Sequence, residues 1–212
     1  MLRQTPTNLA DIKSISTLRI ALDAWSLSPA DVIEMCLSRG LEFRAHPLGF
    51  ISCVFIEEGN TKARLHIWPI SENLSQGEGV TIHDHVFNFT SWVLAGEIIN
   101  RCVYIDGAGK PCSVYEASYA SESSVLVKKN ETLNIMEGEI QRYSTGMRYS
   151  MCAGQLHETK SVDSSVAVTV LITHDVSTSH PLVIGSLSGR DMHEYHRRLL
   201  SRDELNKVIS NL

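Results

Sequence analysis

Two histidines stand one residue apart in the run Gly77-Glu-Gly-Val-Thr-Ile-His83-Asp-His85-Val-Phe-Asn-Phe89. Val80, Ile82, Val86, Phe87 and Phe89 give this run the character of a strand, where residues i and i+2 point to the same face. His83 and His85 would then present two imidazoles side by side, the start of a divalent transition-metal site. Taken alone, a His-x-His is as much an ordinary pair of strand histidines as a ligand pair. A second stretch, Gly146-Met-Arg-Tyr-Ser-Met-Cys152-Ala-Gly154-Gln-Leu-His157, supplies a third histidine just after a glycine-marked turn. By ligand type, neutral imidazoles suit Fe, Zn, Cu, Ni and Co.

The spacing of these residues resembles the two motifs of the cupins. The first cupin motif places Gly, five residues, His-x-His, then Glu and Gly; here Gly77, His83, His85, Phe89 and Gly96 stand at those positions, with Phe89 replacing the Glu. The second motif is matched by Gly146, Gly154 and His157, with Cys152 for its Pro and Ser161 for its Asn. The resemblance covers about residues 77–161 and implies an all-β fold, a cupin-type double-stranded β-helix (jelly-roll barrel), with His83, His85 and His157 as metal ligands. Because a phenyl ring cannot ligate, Phe89 leaves a ligand set of three histidines. Within the cupins that set resembles the thiol dioxygenases, the cysteine dioxygenase-like group. The run "IHDH" followed by "LAGE", and the stretch "QLHETKSVDSSVAVTVLI", are similar to that group. What the resemblance implies is an Fe(II)-dependent dioxygenase, with a small-molecule substrate and O2 as partners, and a possible homodimer. The chain departs from the group at three places. Thr90 stands where the animal enzymes carry the Cys of a Cys–Tyr crosslink, no Tyr is evident at its other end near Thr173 or His174, and Cys53 falls near their carboxylate-binding arginine.

With no carboxylate among the ligands, such a site keeps a charge near that of the bare divalent ion. It favours an anionic, bidentate ligand: a thiolate with a neighbouring amine, a β-diketonate or an ortho-oxygenated ring. Fe(II) is the expected metal, with Ni, Zn, Co and Mn open. A non-catalytic metal-containing cupin that binds or senses a small ligand is the alternative from a different class. A metal-dependent isomerase is a third; it needs a general base in the pocket. No residue is assigned as a catalytic acid or base.

The elements that position these groups can be read along the chain. Residues 8–26 read as a helix with Ile15, Leu18, Leu22 and Trp25 on one face. Ser28 caps a second helix that has Pro29 in its first turn and Gly40 as its stop. The segments 50–57 and 62–69 read as two strands joined by a turn at 58–61. Arg64, His66 and Trp68 share one face of the second, so Arg64 and His66 either line a pocket or face solvent. Phe87 and Phe89 make the metal pocket apolar, with Trp92 close by. Residues 70–76 are a polar loop. A hairpin turn is expected at 106–109, and short strands with bends at Asn130 and Gly138 across 113–145. Val166–Ile172 is a β-branched strand, and His174 at its end is either a partner of a ligand or solvated. The tail from Ser188 to Leu200 reads as helical, followed by a capping box at Ser201–Glu204. The expected organisation is one cupin domain over 1–212: N-terminal helices in 1–45, a β-barrel in 46–180 and C-terminal helices in 186–212.

Composition narrows the function classes. The 212 residues are 43% hydrophobic and 20% charged, with a net charge of −5, ordinary for one globular domain. No basic block favours nucleic acid. No apolar run reaches membrane-spanning length, and the N-terminus lacks a signal-peptide core. The five cysteines are scattered and contain no Cys-x-x-Cys pair. They read as free thiols of a cytoplasmic protein, with Cys152 a small buried residue in place of the motif's proline.

Overall fold

A computed structural model of the chain describes residues 9–70, 74, 76, 79–119, 122–162 and 166–212. Gly77, at the head of the His-x-His run, and positions 71–73 and 75 of the expected polar loop lie outside the described residues. After a 3-10 turn at Leu9–Asp11 come helices α1 (Ile15–Asp23) and α2 (Pro29–Ser38). The expected long first helix is thus shorter, because Ser14 caps a new start: its hydroxyl accepts from Thr17 N, and the Thr17 hydroxyl accepts in return from Ser14 N. Ser28 and Asp31 form the same reciprocal box on α2, and Gly40 takes the left-handed conformation just beyond its end.

The strands follow as β1 (Arg44–Ala45), β2 (Ile51–Glu58), β3 (Thr61–Trp68), β4 (Ile82–His83), β5 (Phe87–Ala95), β6 (Glu97–Tyr119), β7 (Ser123–Ser144), β8 (Arg148–Met151), β9 (His157–Ser161), β10 (Ala167–Asp175), β11 (Leu182–Gly185) and β12 (Met192–His196). Helix α3 (Arg202–Ile209) ends the chain, opened by the capping box of Ser201 and Glu204. The strands form two antiparallel sheets, in the orders β1-β2-β3-β10-β5-β8 and β11-β4-β9-β6-β7-β12. From β3 to β10 the chain crosses between the sheets at every connection except the β6–β7 hairpin. The result is the all-β, cupin-type jelly roll, in which the inner faces of the two sheets enclose a space.

The outer face of the first sheet is dry. Ala63, Leu65 and Ile67 of β3 and Val168, Val170 and Ile172 of β10 pack against Leu18 and Leu22 of α1 and Val32 and Ile33 of α2. Leu205 and Val208 of α3 join the same cluster, so helices from both ends of the chain cover one face. No helix among the described residues is long and apolar enough to cross a membrane.

Three local expectations are corrected. Residues 106–109 do not turn a hairpin; Ile105 and Lys110 both lie opposite Ile135, so these four residues bulge from one long strand. Asp106 Oδ1 accepts from Ala108 N at 2.8 Å and Asn134 Nδ2 donates to Gly107 O at 2.9 Å, which satisfies the bulge internally. Asn130 and Gly138 are not bends but lie inside β7. Gly138 is small because the Tyr104 ring lies against it, where a Cβ would collide. The tail around Met192–His196 is a strand, not a helix; Tyr195 is buried between exposed Glu194 and His196, a period-2 pattern, and it pairs with β7.

Candidate metal centre

The three histidines come from elements that meet by register. His83 ends β4 and lies opposite His157, the first residue of β9, in the second sheet. His85 stands two residues beyond His83, in the short link that carries the chain across to β5 of the first sheet. That link is held in place: His85 O accepts from Gly154 N at 2.9 Å, and Ala153 N donates to Asn88 Oδ1 at 2.8 Å. Gly154 has φ +77°, which a turn this tight requires. The turn of the second motif thus closes directly onto the link of the first.

The ligand atoms of His83, His85 and His157 all lie within 4.8 Å of one another. Their ring centroids are 4.6–4.9 Å apart. His83 Nδ1 contacts Thr81 O at 2.9 Å and His157 Nδ1 contacts Gln155 O at 3.0 Å. A carbonyl only accepts, so Nδ1 carries the proton on both rings and Nε2 keeps its lone pair for a ligand. Burial holds all three rings well toward the neutral form, with His157 pulled down to about 3, so the lone pairs are available at neutral pH. The donor set therefore fits a divalent transition-metal ion, with His83, His85 and His157 positioned to hold it.

Around the triad lies a cavity of about 420 Å³, suited to a small metabolite. Phe87 stacks on His85 at 4.5 Å, and Phe89 meets His85 edge-on at 5.6 Å. Both rings line the cavity, as do Arg64, His66 and Trp68. The polar face of β3 is therefore its inner one. The Arg64 guanidinium lies 5.4 Å from the centroid of the Phe87 ring. Desolvation, reinforced by Arg64, lowers His66 to about 3.

Trp92 does not belong here. It differs in parity from Phe89, so it emerges on the other face of β5. It is fully buried against the helices, with Nε1 donating to Asp23 Oδ1 at 3.1 Å. Cys53 is likewise buried in that outer cluster. Cys152 is exposed rather than buried, since its turn lies at the surface; its backbone N–H donates to Gln155 Oε1. All five cysteines are free thiols. His174 is exposed and joins Thr61 Oγ1 at 2.9 Å, away from the triad. Asp84, between the two ligand histidines, accepts from Leu182 N at 2.6 Å and so ties β11 to the metal loop; burial raises its pKa.

The cavity also gathers residues that the sequence reading did not single out. Tyr149 of β8 lines it, edge-on to Phe89 at 5.7 Å and stacked on Tyr143 at 4.3 Å. His46, Phe50, Ser124, Tyr195 and Arg197 line it as well, with Phe50 packed between the rings of His46 and His66. Tyr149 lies inside the second motif stretch, which pointed toward it. His46 and Arg197 lie in segments without a motif, and only the folded chain brings them in.

No family model matches this sequence, and no curated protein sequence matches it. Solved structures of similar fold include a cupin superfamily protein from Desulfitobacterium hafniense, at 10% identity over 60% of this chain and 78% of that one, with a TM-score of 0.34. A conserved protein of unknown function from Streptococcus pyogenes matches at 12% identity over 61% of this chain and 76% of its own, TM-score 0.33. The DMSP lyase DddQ from Ruegeria pomeroyi matches at 13% identity over 84% of this chain and 80% of its own, TM-score 0.41.

Proposed function

We propose that this chain is an Fe(II)-dependent, cysteine dioxygenase-like cupin oxygenase that adds O2 to a small chelating substrate such as a thiol. The observation that carries this reading is the triad itself: three neutral imidazoles, with Phe89 where a carboxylate ligand would stand, converging on a cavity. Held by His83, His85 and His157, Fe(II) would supply the redox chemistry that joins O2 to an electron-rich substrate. For a thiol the balance closes without a further reductant, since RSH and O2 together give the sulfinic acid RSO2H. The residues of the chain have separate tasks. The carbonyls of Thr81 and Gln155 keep two imidazoles in the ligating tautomer. Phe87 and Phe89 exclude water from one side of the centre, and Arg64 adds positive charge to the wall for an anionic substrate.

The test is anaerobic reconstitution with Fe(II), followed by O2 uptake against a panel of thiols and diketones. Substrate-dependent uptake in the wild-type chain that vanishes in His157→Ala is the expected result. In His83→Ala, His85→Ala and His157→Ala, tight iron binding should be lost; full iron stoichiometry in all three would overturn the site. Iron bound without any uptake would favour a non-catalytic cupin that binds or senses a small ligand.

A further inference from the structure

A chain of aromatic rings leads from the triad toward solvent. Phe89 lies edge-on to His85 at 5.6 Å and 6.4 Å from His157. Tyr149 meets Phe89 edge-on at 5.7 Å, and Tyr143 stacks on Tyr149 at 4.3 Å with the planes 16° apart. Strand register sets this order. On the inner face of the first sheet Tyr149 lies opposite Ser91, one two-residue step along from Phe89, which lies opposite Met151. Tyr143 belongs to β7 of the second sheet, opposite Ile98, so the stack spans the two sheets. Tyr149 lines the cavity. The Tyr143 hydroxyl instead donates to Oε1 of exposed Gln141 at 2.5 Å.

The two phenols differ in what they can do with a proton. Burial pushes the Tyr149 phenol well up, so it stays protonated, and the residue across the strand is fully buried Ser91, a poor base. Removing one electron from a phenol releases its proton. An electron vacancy on Tyr149 has no group to take that proton. On Tyr143 the proton passes along the hydrogen bond to Gln141 and on to water. The vacancy therefore moves outward and comes to rest on Tyr143. Phe89 supplies only contact, because a phenyl ring is much harder to oxidise than a phenol. The indole of Trp68 also lines the cavity, but it is buried, and its Nε1 has no hydrogen-bond partner among the described residues.

We propose a second activity: with iron held by the triad, the chain reduces a peroxide at the cavity and oxidises small phenols at its surface, with Tyr149 and Tyr143 relaying the electrons between them. This rests on the metal-centre reading above. The balance is complete. Hydrogen peroxide takes one electron from Fe(II) and one from Tyr143 by way of Tyr149. With the Tyr143 proton it becomes one water and one hydroxide, leaving Fe(III) and a Tyr143 phenoxyl radical. One soluble phenol gives a hydrogen atom to Tyr143. A second returns an electron to Fe(III) through the same rings, and its proton turns the hydroxide into water.

The experiment mixes the anaerobic Fe(II)-loaded chain with one equivalent of hydrogen peroxide and no phenol. The readouts are the EPR spectrum of a freeze-quenched sample and, with a nitroso spin trap present, the position of the trapped radical by peptide mass spectrometry. The expected result is a tyrosyl signal and an adduct on Tyr143, with neither in the metal-free chain. Tyr149→Phe should abolish the Tyr143 adduct while iron stoichiometry and melting temperature stay as they were. Tyr104→Phe, which removes an exposed phenol outside the stack, should leave the adduct in place. No radical, an adduct on another residue, an equal adduct in the metal-free chain, or an undiminished Tyr143 adduct in Tyr149→Phe would each overturn the proposal. Should Tyr149→Phe melt early or lose iron, Tyr143→Phe decides: an adduct shifted to Tyr149 supports the relay, and any other result overturns it. Failure of the wild-type chain to bind iron would overturn the metal reading and this one together. Iron bound without a radical would overturn this one alone.

Discussion

Strand β3 carries Ala63, Leu65 and Ile67 on one side and Arg64, His66 and Trp68 on the other. The first set is fully buried beneath α1 and α2, in a cluster that also takes in α3. The second lines the cavity with the three histidines. The two faces share one backbone and one set of ladder hydrogen bonds with β2 and β10. They differ only in what stands opposite. The outer face is close-packed, so each methylene lost there leaves a void. The inner face borders the cavity, so its side chains have open space beside them. Close packing and the proposed site thus lie on opposite sides of one sheet, and each can be altered with limited cost to the other.

That division can be broken most directly on β3 itself. Leu65→Ala should cost about 2–5 kcal/mol in urea unfolding, while His66→Ala, its neighbour on the cavity side, should cost markedly less. Equal losses would mean that the cavity face is as tightly packed as the outer one. Acid should separate the faces next. In the metal-free chain His66 and His157 are held near 3, against 6.5 for a free imidazole. Below pH 6.5 the unfolded chain takes up protons that the folded chain refuses, so their contribution is complete above 6.5. It declines as pH falls toward about 3, by about 1.4 kcal/mol per pH unit for each ring. His66→Gln should flatten the stability–pH curve in that window by about this slope, and Leu65→Ala should leave the slope as it was.

On the dry side, Trp92→Phe keeps an aromatic side chain but removes the N–H bond to Asp23 and part of a fully buried ring. About 1–3 kcal/mol should be lost, with iron stoichiometry unchanged; a fall in iron binding would place Trp92 in the functional half. The smallest effect belongs to the solvent-facing ion pair of Glu137 and Arg101. Glu137→Gln should shift the melting transition by the equivalent of a few tenths of a kcal/mol, which sets the baseline against which both faces of β3 are compared.

Much of this arrangement was legible in the chain. The His-x-His repeat and the spacing to His157 marked the triad, because strand parity and a glycine turn are local properties. The serine caps of α2 and α3 were visible for the same reason. The bulge at 106–109 was misjudged because Asp-Gly signals a hairpin unless a partner strand continues past it, and that partner is β7. The segment Met192–His196 looked helical because its alternation spans only five residues, too few to outweigh neighbouring polar positions. Trp92 was drawn toward the pocket by its nearness to Phe89 in sequence, although one residue in a strand reverses the face.

What the sequence determined by itself was which side chains travel together: Arg64 with His66 and Trp68, Leu65 with Ile67, His83 with His85. Periodicity supplies that grouping, and it is blind to which group turns inward. The tertiary structure decided the direction, by laying helices from both ends of the chain over the apolar face of β3 and closing the second sheet over the polar one. It alone brought His46 and Arg197, separated by 151 positions, to 3.3 Å. No local pattern encodes such a contact, because it is created only when two distant segments of the chain meet at the cavity wall.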